Sequence, residues 1–378
     1  MRIAIINSEF PPVGGGSGNA SAHLAKEFTK LGHEVIVITT QYHGEQRKEI
    51  IDGYQIIRIP AIRNKPDRSN PFEQFTFLLG SSTTGLANLS SWNPDIVIAF
   101  FGLPSGPAAY FHKLLKKKPF IVSLRGGDVP GFRPDDFGIY HKLSSPAIRK
   151  IWDSADKIVA NSSGLKELAL TFYPGKKIAV ITNGVDPQKY PIKTNGWEDP
   201  TLLFTGRLVY QKGLDVLLNS LAQLIDVEFN LYIVGDGPEK EHLQELTRKL
   251  KLEERIHFTG WLNKKELIDY YQQASIFVFP SRQEGMPNSM LEAMASGLPV
   301  IATKISGSEE LILDGKGGYL VRPDNQDELK NALDSLLANN NARENMGRYN
   351  RQRVMEIFSW SDIARKYEEL IKTVVEQE

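Results

Sequence analysis

Two carboxylates, Glu284 and Glu292, stand at either end of the segment Glu284-Gly285-Met286-Pro287-Asn288-Ser289-Met290-Leu291-Glu292. An apolar run, Ile276-Phe277-Val278-Phe279, ends just before it at Pro280-Ser281, so a buried strand runs into a loop. Helix formers follow from Met290 to Ala295, Gly297 stops them, and a second apolar strand starts near Val300. This order puts Glu284 at the carboxyl end of a strand, where ligands bind in an open α/β sheet. The amides that follow open a helix, and a helix N-terminus favours phosphate. A carboxylate beside it accepts hydrogen bonds from sugar hydroxyls. Glu292, about two turns on and on roughly the same face, reaches a second hydroxylated group. A phosphate flanked by two polyols describes a nucleotide-sugar.

A second segment supplies cations. Phe204-Thr205-Gly206-Arg207-Leu208-Val209-Tyr210-Gln211-Lys212-Gly213 puts Arg207 and Lys212 on a loop between strand and helix. Two cations there neutralise a diphosphate and stabilise its charge as it leaves. Val234-Gly235-Asp236-Gly237-Pro238 and Phe258-Thr259-Gly260-Trp261-Leu262 each end a further strand. These turns either hold a nucleotide base through backbone groups or are plain turn chemistry. After the first strand comes Gly14-Gly15-Gly16-Ser17-Gly18, with a helix expected from about Ala20. Glycines at such a turn let amides approach a ligand closely. The loop lacks the G-x-G-x-x-G spacing of a dinucleotide site, which argues against a NAD-dependent dehydrogenase. No Asp-x-Asp pair is present to clamp a divalent ion, and the histidines show no ligand spacing, so no metal and no cofactor are expected.

These groups need elements to position them. Strand-like runs alternate with helical patterns along nearly all 378 residues. In the first half they are Ile3–Asn7, Val35–Thr39, Tyr54–Ile59, Ile96–Ala99, Phe120–Leu124, Ile158–Ala160 and Ile178–Ile181. The alternation restarts at Leu202–Thr205 and continues through Leu231–Val234, Ile256–Phe258, Ile276–Phe279 and Val300–Ala302. Near-continuous apolar strands indicate parallel sheets covered on both faces. Two Rossmann-like α/β domains follow, joined by the polar stretch after Asn183-Gly184-Val185-Asp186-Pro187 and up to Pro200, with a cleft expected between them.

The chain has no Cys, which excludes a disulfide framework and a thiolate metal site. The first residues read as a strand, not a signal peptide, and no apolar run approaches membrane-spanning length, so a cytoplasmic protein is expected. Net charge is zero, yet residues 1–187 hold 22 Lys/Arg against 16 Asp/Glu. A basic first half could face an anionic acceptor or the inner face of a membrane, or be a chance excess of solvated charge. His112 followed by Lys113-Leu114-Leu115-Lys116-Lys117-Lys118 could touch lipid headgroups, though a helix C-terminus also favours Lys. Nothing suggests a nucleic-acid partner.

Taken together, the glycine loop, Asn183-Gly184-Val185-Asp186, Gly206-Arg207 with Gln211-Lys212-Gly213, Gly235-Asp236-Gly237-Pro238, the E-x7-E segment and Phe358-Ser359-Trp360 resemble the family-four retaining glycosyltransferases of GT-B fold. The resemblance covers nearly the whole chain. It implies an N-terminal acceptor-binding domain, 1–187 with a helix 360–378 crossing back onto it, and a C-terminal donor-binding domain, 188–359. Gly15 and Gly16 would approach the donor phosphate, and Arg207 and Lys212 would bind the diphosphate. Glu284 would hold the donor sugar. The backbone from Gly285 through Met286, Pro287 and Asn288 to Ser289 would add phosphate contacts through its N–H groups, of which Pro287 has none, and Glu292 would hold the ribose. Gly237, Trp261 and Leu262 would line the nucleotide. The donor is expected to be a UDP or GDP sugar, and the acceptor a glycan or lipid-linked hydroxyl in polysaccharide biosynthesis. One departure stands out: Ser123-Leu124-Arg125-Gly126-Gly127-Asp128 puts Arg125 where many members carry His before Gly. Arg cannot act as a neutral base, but it binds anions, so Arg125 is expected at an acidic donor or acceptor group or a leaving phosphate. Asp128 would orient it or an acceptor hydroxyl, or hold a structural role. Alternative readings are a GT-B epimerase or sugar-phosphate-using synthase, and a non-catalytic nucleotide-sugar binder.

Overall fold

A computed structural model describes residues 1–66, 69–132, 134–193, 197 and 200–376. Within the stretch expected as a linker, Thr194, Asn195, Gly196, Glu198 and Asp199 lie outside the described residues. The chain forms two compact units, residues 1–183 with Trp360 onward, and Gly184–Ser359.

The first unit holds β1 (Arg2–Ile6), β2 (Glu34–Thr40), β3 (Lys48–Ile51), β4 (Tyr54–Ile59), β5 (Ile96–Phe100), β6 (Phe120–Leu124), β7 (Lys157–Ala160) and β8 (Ile178–Val180). Their order is β3-β4-β2-β1-β5-β6-β7-β8. All neighbours are parallel except β3, which pairs antiparallel with β4. This edge strand is missing from the sequence reading, because Lys48-Glu49-Ile50-Ile51 is mostly exposed and lacks an apolar run. Its hairpin was nonetheless written in Asp52-Gly53, both at positive φ (49° and 86°), the pairing that closes a two-residue primed turn.

Apolar residues of β1 alternate between two cores. Ala4 and Ile6 join a cluster with Phe77, Ala108, Ala109, Ile148 and Trp152 from helices on one face. Ile3 and Ile5 join one with Leu24, Phe28, Ile363 and Tyr367 on the other. The helix Trp360–Val375 buries Trp360, Ile363, Ala364, Tyr367, Ile371 and Val374, a stripe at helical spacing that completes this second face.

The second unit holds β9 (Thr201–Thr205), β10 (Asn230–Val234), β11 (Ile256–Gly260), β12 (Ile276–Phe279), β13 (Val300–Thr303) and β14 (Gly318–Val321). The order β11-β10-β9-β12-β13-β14 is parallel throughout. β14 also escapes the sequence reading: it is four residues long and starts with a glycine. That glycine is needed, since a Cβ at Gly318 would lie 1.8 Å from the Val300 carbonyl oxygen.

Candidate active site

Strand order in the second unit reverses between β9 and β12. Loops leaving the carboxyl ends of two such neighbours diverge and open a crevice. The loop after β9 carries Arg207 and Lys212, and the loop after β12 carries Glu284. The two loops meet through their side chains. Lys212 Nζ lies 2.5 Å from Glu284 Oε1, with both side chains 15% exposed. Gln211 Nε2 donates to the same oxygen at 3.2 Å and to the Gln283 carbonyl at 2.5 Å. The Lys212 ammonium also stands 4.9 Å from the centre of the Phe279 ring. Glu284 Oε2 has no hydrogen-bond partner among the described residues. Arg207 is exposed, and no acidic side chain pairs with it among the described residues.

Backbone contacts hold this pairing. Gly213 has φ 65°, and a Cβ there would stand 2.1 Å from the Pro280 carbonyl oxygen. Only glycine lets the two loops approach that closely. Arg282 adds a side-chain brace. Its guanidinium bonds both Asp215 oxygens at 2.8 and 3.0 Å, Asp324 at 2.8 Å and the Tyr210 carbonyl at 2.5 Å, and it stacks 3.9 Å over the Tyr210 ring. The hydrogen bond to Asp215 lifts Arg282 above its ordinary pKa. Sequence reading missed this residue. Its one signal was position, two residues past Pro280 and two before Glu284.

The helix after β12 spans Asn288–Ala295. Glu284 therefore lies in the loop that leaves β12, as expected, and Glu292 is one turn into the helix, so the expectation that Glu292 follows about two turns on and on roughly the same face is corrected. The Glu292 carboxylate accepts hydrogen bonds from the hydroxyls of Tyr271, at 3.1 Å, and Tyr190. Tyr271 in turn meets Thr205 Oγ1 at 2.9 Å and the Ser289 carbonyl at 3.1 Å. Burial raises the Glu292 pKa although these donors oppose it. Neither tyrosine was legible in the sequence, since both come from distant segments.

Other expected residues fall around this edge. Gly285 is closely covered: a Cβ on Gly307 would lie 2.5 Å from its carbonyl oxygen. Met286 is 8% exposed and packs in the core. Pro287 precedes the helix, whose first turn contains Asn288 and Ser289. The Gly237 amide donates to the Asp236 carboxylate at 2.7 Å, and a Cβ on Gly237 would meet the Leu208 carbonyl oxygen at 2.2 Å. Loop packing thus accounts for this glycine. Trp261 is 74% exposed and Leu262 is half-buried.

The remaining four expected residues belong to the first unit, at the carboxyl edge of its sheet. Gly15 precedes a helix that starts at Gly16, earlier than the expected Ala20. Glu9, which sequence reading passed over, takes the Gly15 amide and the Ser17 hydroxyl as donors. Burial still raises its pKa, against the nearby Arg63 and these two bonds. A carboxylate thus already occupies the amide expected to meet a phosphate. Arg125 also has partners within the unit. It donates to Asn183 Oδ1 at 2.7 Å and to the Tyr367 hydroxyl at 3.3 Å, and it stacks 4.1 Å over Phe100. Asp128 is 3% exposed and accepts the amides of Gly102, Arg125 and Gly126 at 2.8, 2.9 and 3.2 Å. Its carboxylate ties the loops after β5 and β6 together. Of the roles expected of it, orienting the Arg125 side chain or an acceptor hydroxyl or a structural one, these bonds match the structural one.

Comparison with known proteins agrees with this architecture. The family profile Glycosyl transferases group 1 matches residues 188–353, and Glycosyltransferase Family 4 matches residues 14–189. The chain is a GT-B glycosyltransferase. It is 28% identical to a glycogen synthase of Mycobacterium tuberculosis, over 96% of this chain and 92% of that one. It is 25% identical to a GDP-mannose-dependent alpha-(1-6)-phosphatidylinositol monomannoside mannosyltransferase of Mycolicibacterium smegmatis, over 98% of each. In fold it is similar to sucrose-phosphate synthase from Thermosynechococcus elongatus, with TM-score 0.86 at 22% identity over the whole of both chains. The glycosyltransferase contains no helix long and apolar enough to cross a membrane among its described residues.

Proposed function

We propose that this glycosyltransferase moves a sugar from a nucleoside-diphosphate donor to a hydroxyl of a glycan or lipid-linked acceptor, with retention at the anomeric carbon and without a metal. The observation that carries this reading is the Lys212–Glu284 pair at the β9/β12 crevice. It puts a cation and a carboxylate at one point, as a sugar diphosphate requires. The mycobacterial mannosyltransferase is named for a GDP-mannose donor, and a UDP or GDP sugar is the donor proposed for this chain.

In this reading Lys212 and Arg207 take the diphosphate oxygens, supplying the charge that a metal would otherwise supply. Glu284 keeps Lys212 through Oε1 and receives a sugar hydroxyl on Oε2. Amides at the start of the helix Asn288–Ala295 face the same phosphates. Glu292, steadied by Tyr190 and Tyr271, receives the ribose. As the bond from the anomeric carbon to the diphosphate oxygen breaks, the acceptor oxygen bonds that carbon from the same face. The acceptor proton passes to the leaving phosphate oxygen. Arg125 positions the loop after β6 and does not carry the phosphate, as its partners Asn183 and Tyr367 indicate.

A thermal-shift screen against UDP, GDP, ADP and their sugar conjugates, with and without EDTA, tests this. The expected outcome is stabilisation by one nucleotide-sugar, unchanged by EDTA and lost in Lys212→Ala. Proton NMR of the product then reads the anomeric configuration. Stabilisation by a free sugar phosphate or by NAD, and by no nucleotide-sugar, would overturn the reading.

A further inference from the structure

Tyr271 is fully buried, yet its hydroxyl is where three segments of the second unit meet. The residue comes from the helix Lys264–Gln273. Thr205 Oγ1, at the end of β9 and just before Gly206-Arg207, lies 2.9 Å from the hydroxyl. The Ser289 carbonyl and Glu292 Oε2, both on the helix Asn288–Ala295, each lie 3.1 Å from it. A phenol has one proton to give, and a carbonyl and an ionised carboxylate have none. Thr205 therefore donates to the phenol oxygen, and the phenol proton faces Ser289 and Glu292. The charged carboxylate is the stronger acceptor of the two. Burial and the neighbouring Glu292 carboxylate hold the Tyr271 hydroxyl well above its ordinary pKa, so it stays a donor. The ring is fixed as well, with Tyr190 edge-on at 5.9 Å and Phe277 at 6.0 Å.

A glutamate on a helix has several rotamers open to it, and a ligand that must first fix one of them loses affinity to that ordering. Tyr271 does the ordering before a ligand arrives, from a place the ligand cannot reach. We propose that Tyr271 is the positioning residue that sets this site's preference for a ribonucleotide over a deoxyribonucleotide, by holding Glu292 in the orientation that accepts the ribose hydroxyls. Thr205 and Ser289 fix the phenol, the phenol aims the carboxylate, and the carboxylate alone touches the sugar. The inference rests on the reading that Glu292 receives the ribose, and it names the group that makes that contact selective.

Calorimetry of the whole protein with UDP and GDP, each beside its 2′,3′-dideoxy analogue, tests it. Wild type should bind the preferred ribonucleotide about a hundredfold more tightly than the analogue, which leaves a charged acceptor short of its donors. Tyr271→Phe keeps the ring and should cut that preference to about tenfold, since Tyr190 still donates to the carboxylate, while affinity for the analogue stays unchanged. Thr205→Val loosens the phenol without touching Glu292 and should lower the preference by less. Glu292→Ala should abolish it, and Tyr271→Phe added to that variant should change nothing more. A preference lost in Glu292→Ala but intact in Tyr271→Phe overturns the inference and leaves the ribose reading standing. A preference intact in Glu292→Ala, or equal binding of both forms by wild type, overturns the ribose reading and the inference together. If Tyr271→Phe weakens ribonucleotide and analogue equally, the tyrosine only supports the fold and the inference is overturned as well.

Discussion

The two sheets share one strand order around their reversal points, β4-β2-β1-β5-β6-β7 in the first unit and β11-β10-β9-β12-β13-β14 in the second. They use their carboxyl edges differently. In the second unit the loops at the reversal point present an exposed Arg207, a Lys212–Glu284 pair and a helix start. In the first unit the ionisable groups at the same edge are consumed by the fold. Glu9 caps the Gly15 amide, Asp128 binds three amides, and Arg125 joins Asn183 to Tyr367. Phe101, just past β5, takes φ 71°, a strained value for a bulky side chain that its surroundings must hold in place. One topology thus yields one edge charged for a diphosphate and another braced as a rigid frame. Topology locates a site, while the loops decide whether its charges face a ligand or each other.

The largest test of this contrast is at Lys212. Lys212→Ala or Glu284→Gln should lower kcat/KM by about a hundredfold to a thousandfold, because each removes preorganised charge from the reacting diphosphate or sugar. Turnover within tenfold of wild type would mean the pair is merely structural. A second test is pH. His112 in the first unit is fully buried, and burial holds its pKa down at about 4. Above its unfolded value near 6.5 both states are neutral. As pH falls from 6.5 towards 4 the unfolded chain binds the proton first, so stability is lost, by up to roughly 3 kcal/mol. Urea titrations at several pH values should show this loss in wild type and not in His112→Phe. A loss of equal size in the variant would assign it to other groups.

Gly213→Ala probes the close approach of the loops after β9 and β12. The new Cβ meets Pro280, and the left-handed φ adds strain, so stability should fall by about 1–3 kcal/mol with turnover falling too. The smallest expected effect is in the first unit. Arg125→Met removes two hydrogen bonds and should cost about 1 kcal/mol in denaturant unfolding. Nucleotide affinity by calorimetry should stay unchanged. A loss of affinity matching that of Lys212→Ala would place Arg125 on the ligand and dissolve the contrast between the two edges.

Most strands were legible because parallel sheets buried on both faces need unbroken apolar runs such as Ile276-Phe277-Val278-Phe279. The exposed edge strand Lys48–Ile51 and the short, glycine-led Gly318–Val321 lack that signature. Residue types at the second unit's edge were legible too, since Arg207, Lys212 and Glu284 follow apolar runs directly. Their pairing was not, because Lys212 and Glu284 are 72 residues apart and meet only through the parallel β9/β12 pairing. The same limit hid Tyr190 and Tyr271 behind Glu292. It also hid the partners of Asp128 and Arg125, where residue type suggested a ligand and burial gave internal bonds.

The helix Trp360–Val375 has a consequence for synthesis. Its apolar stripe covers one face of the first unit's sheet, yet the ribosome makes it after the whole of Gly184–Ser359. At ordinary elongation rates that interval is on the order of ten seconds or more. Throughout it, Ile3, Ile5, Val37 and Phe28 lack the partners that finally cover them. The unit whose strands are made first is therefore completed last, and a chain truncated after Ser359 and released should be cut by protease in the first unit while the second is already resistant.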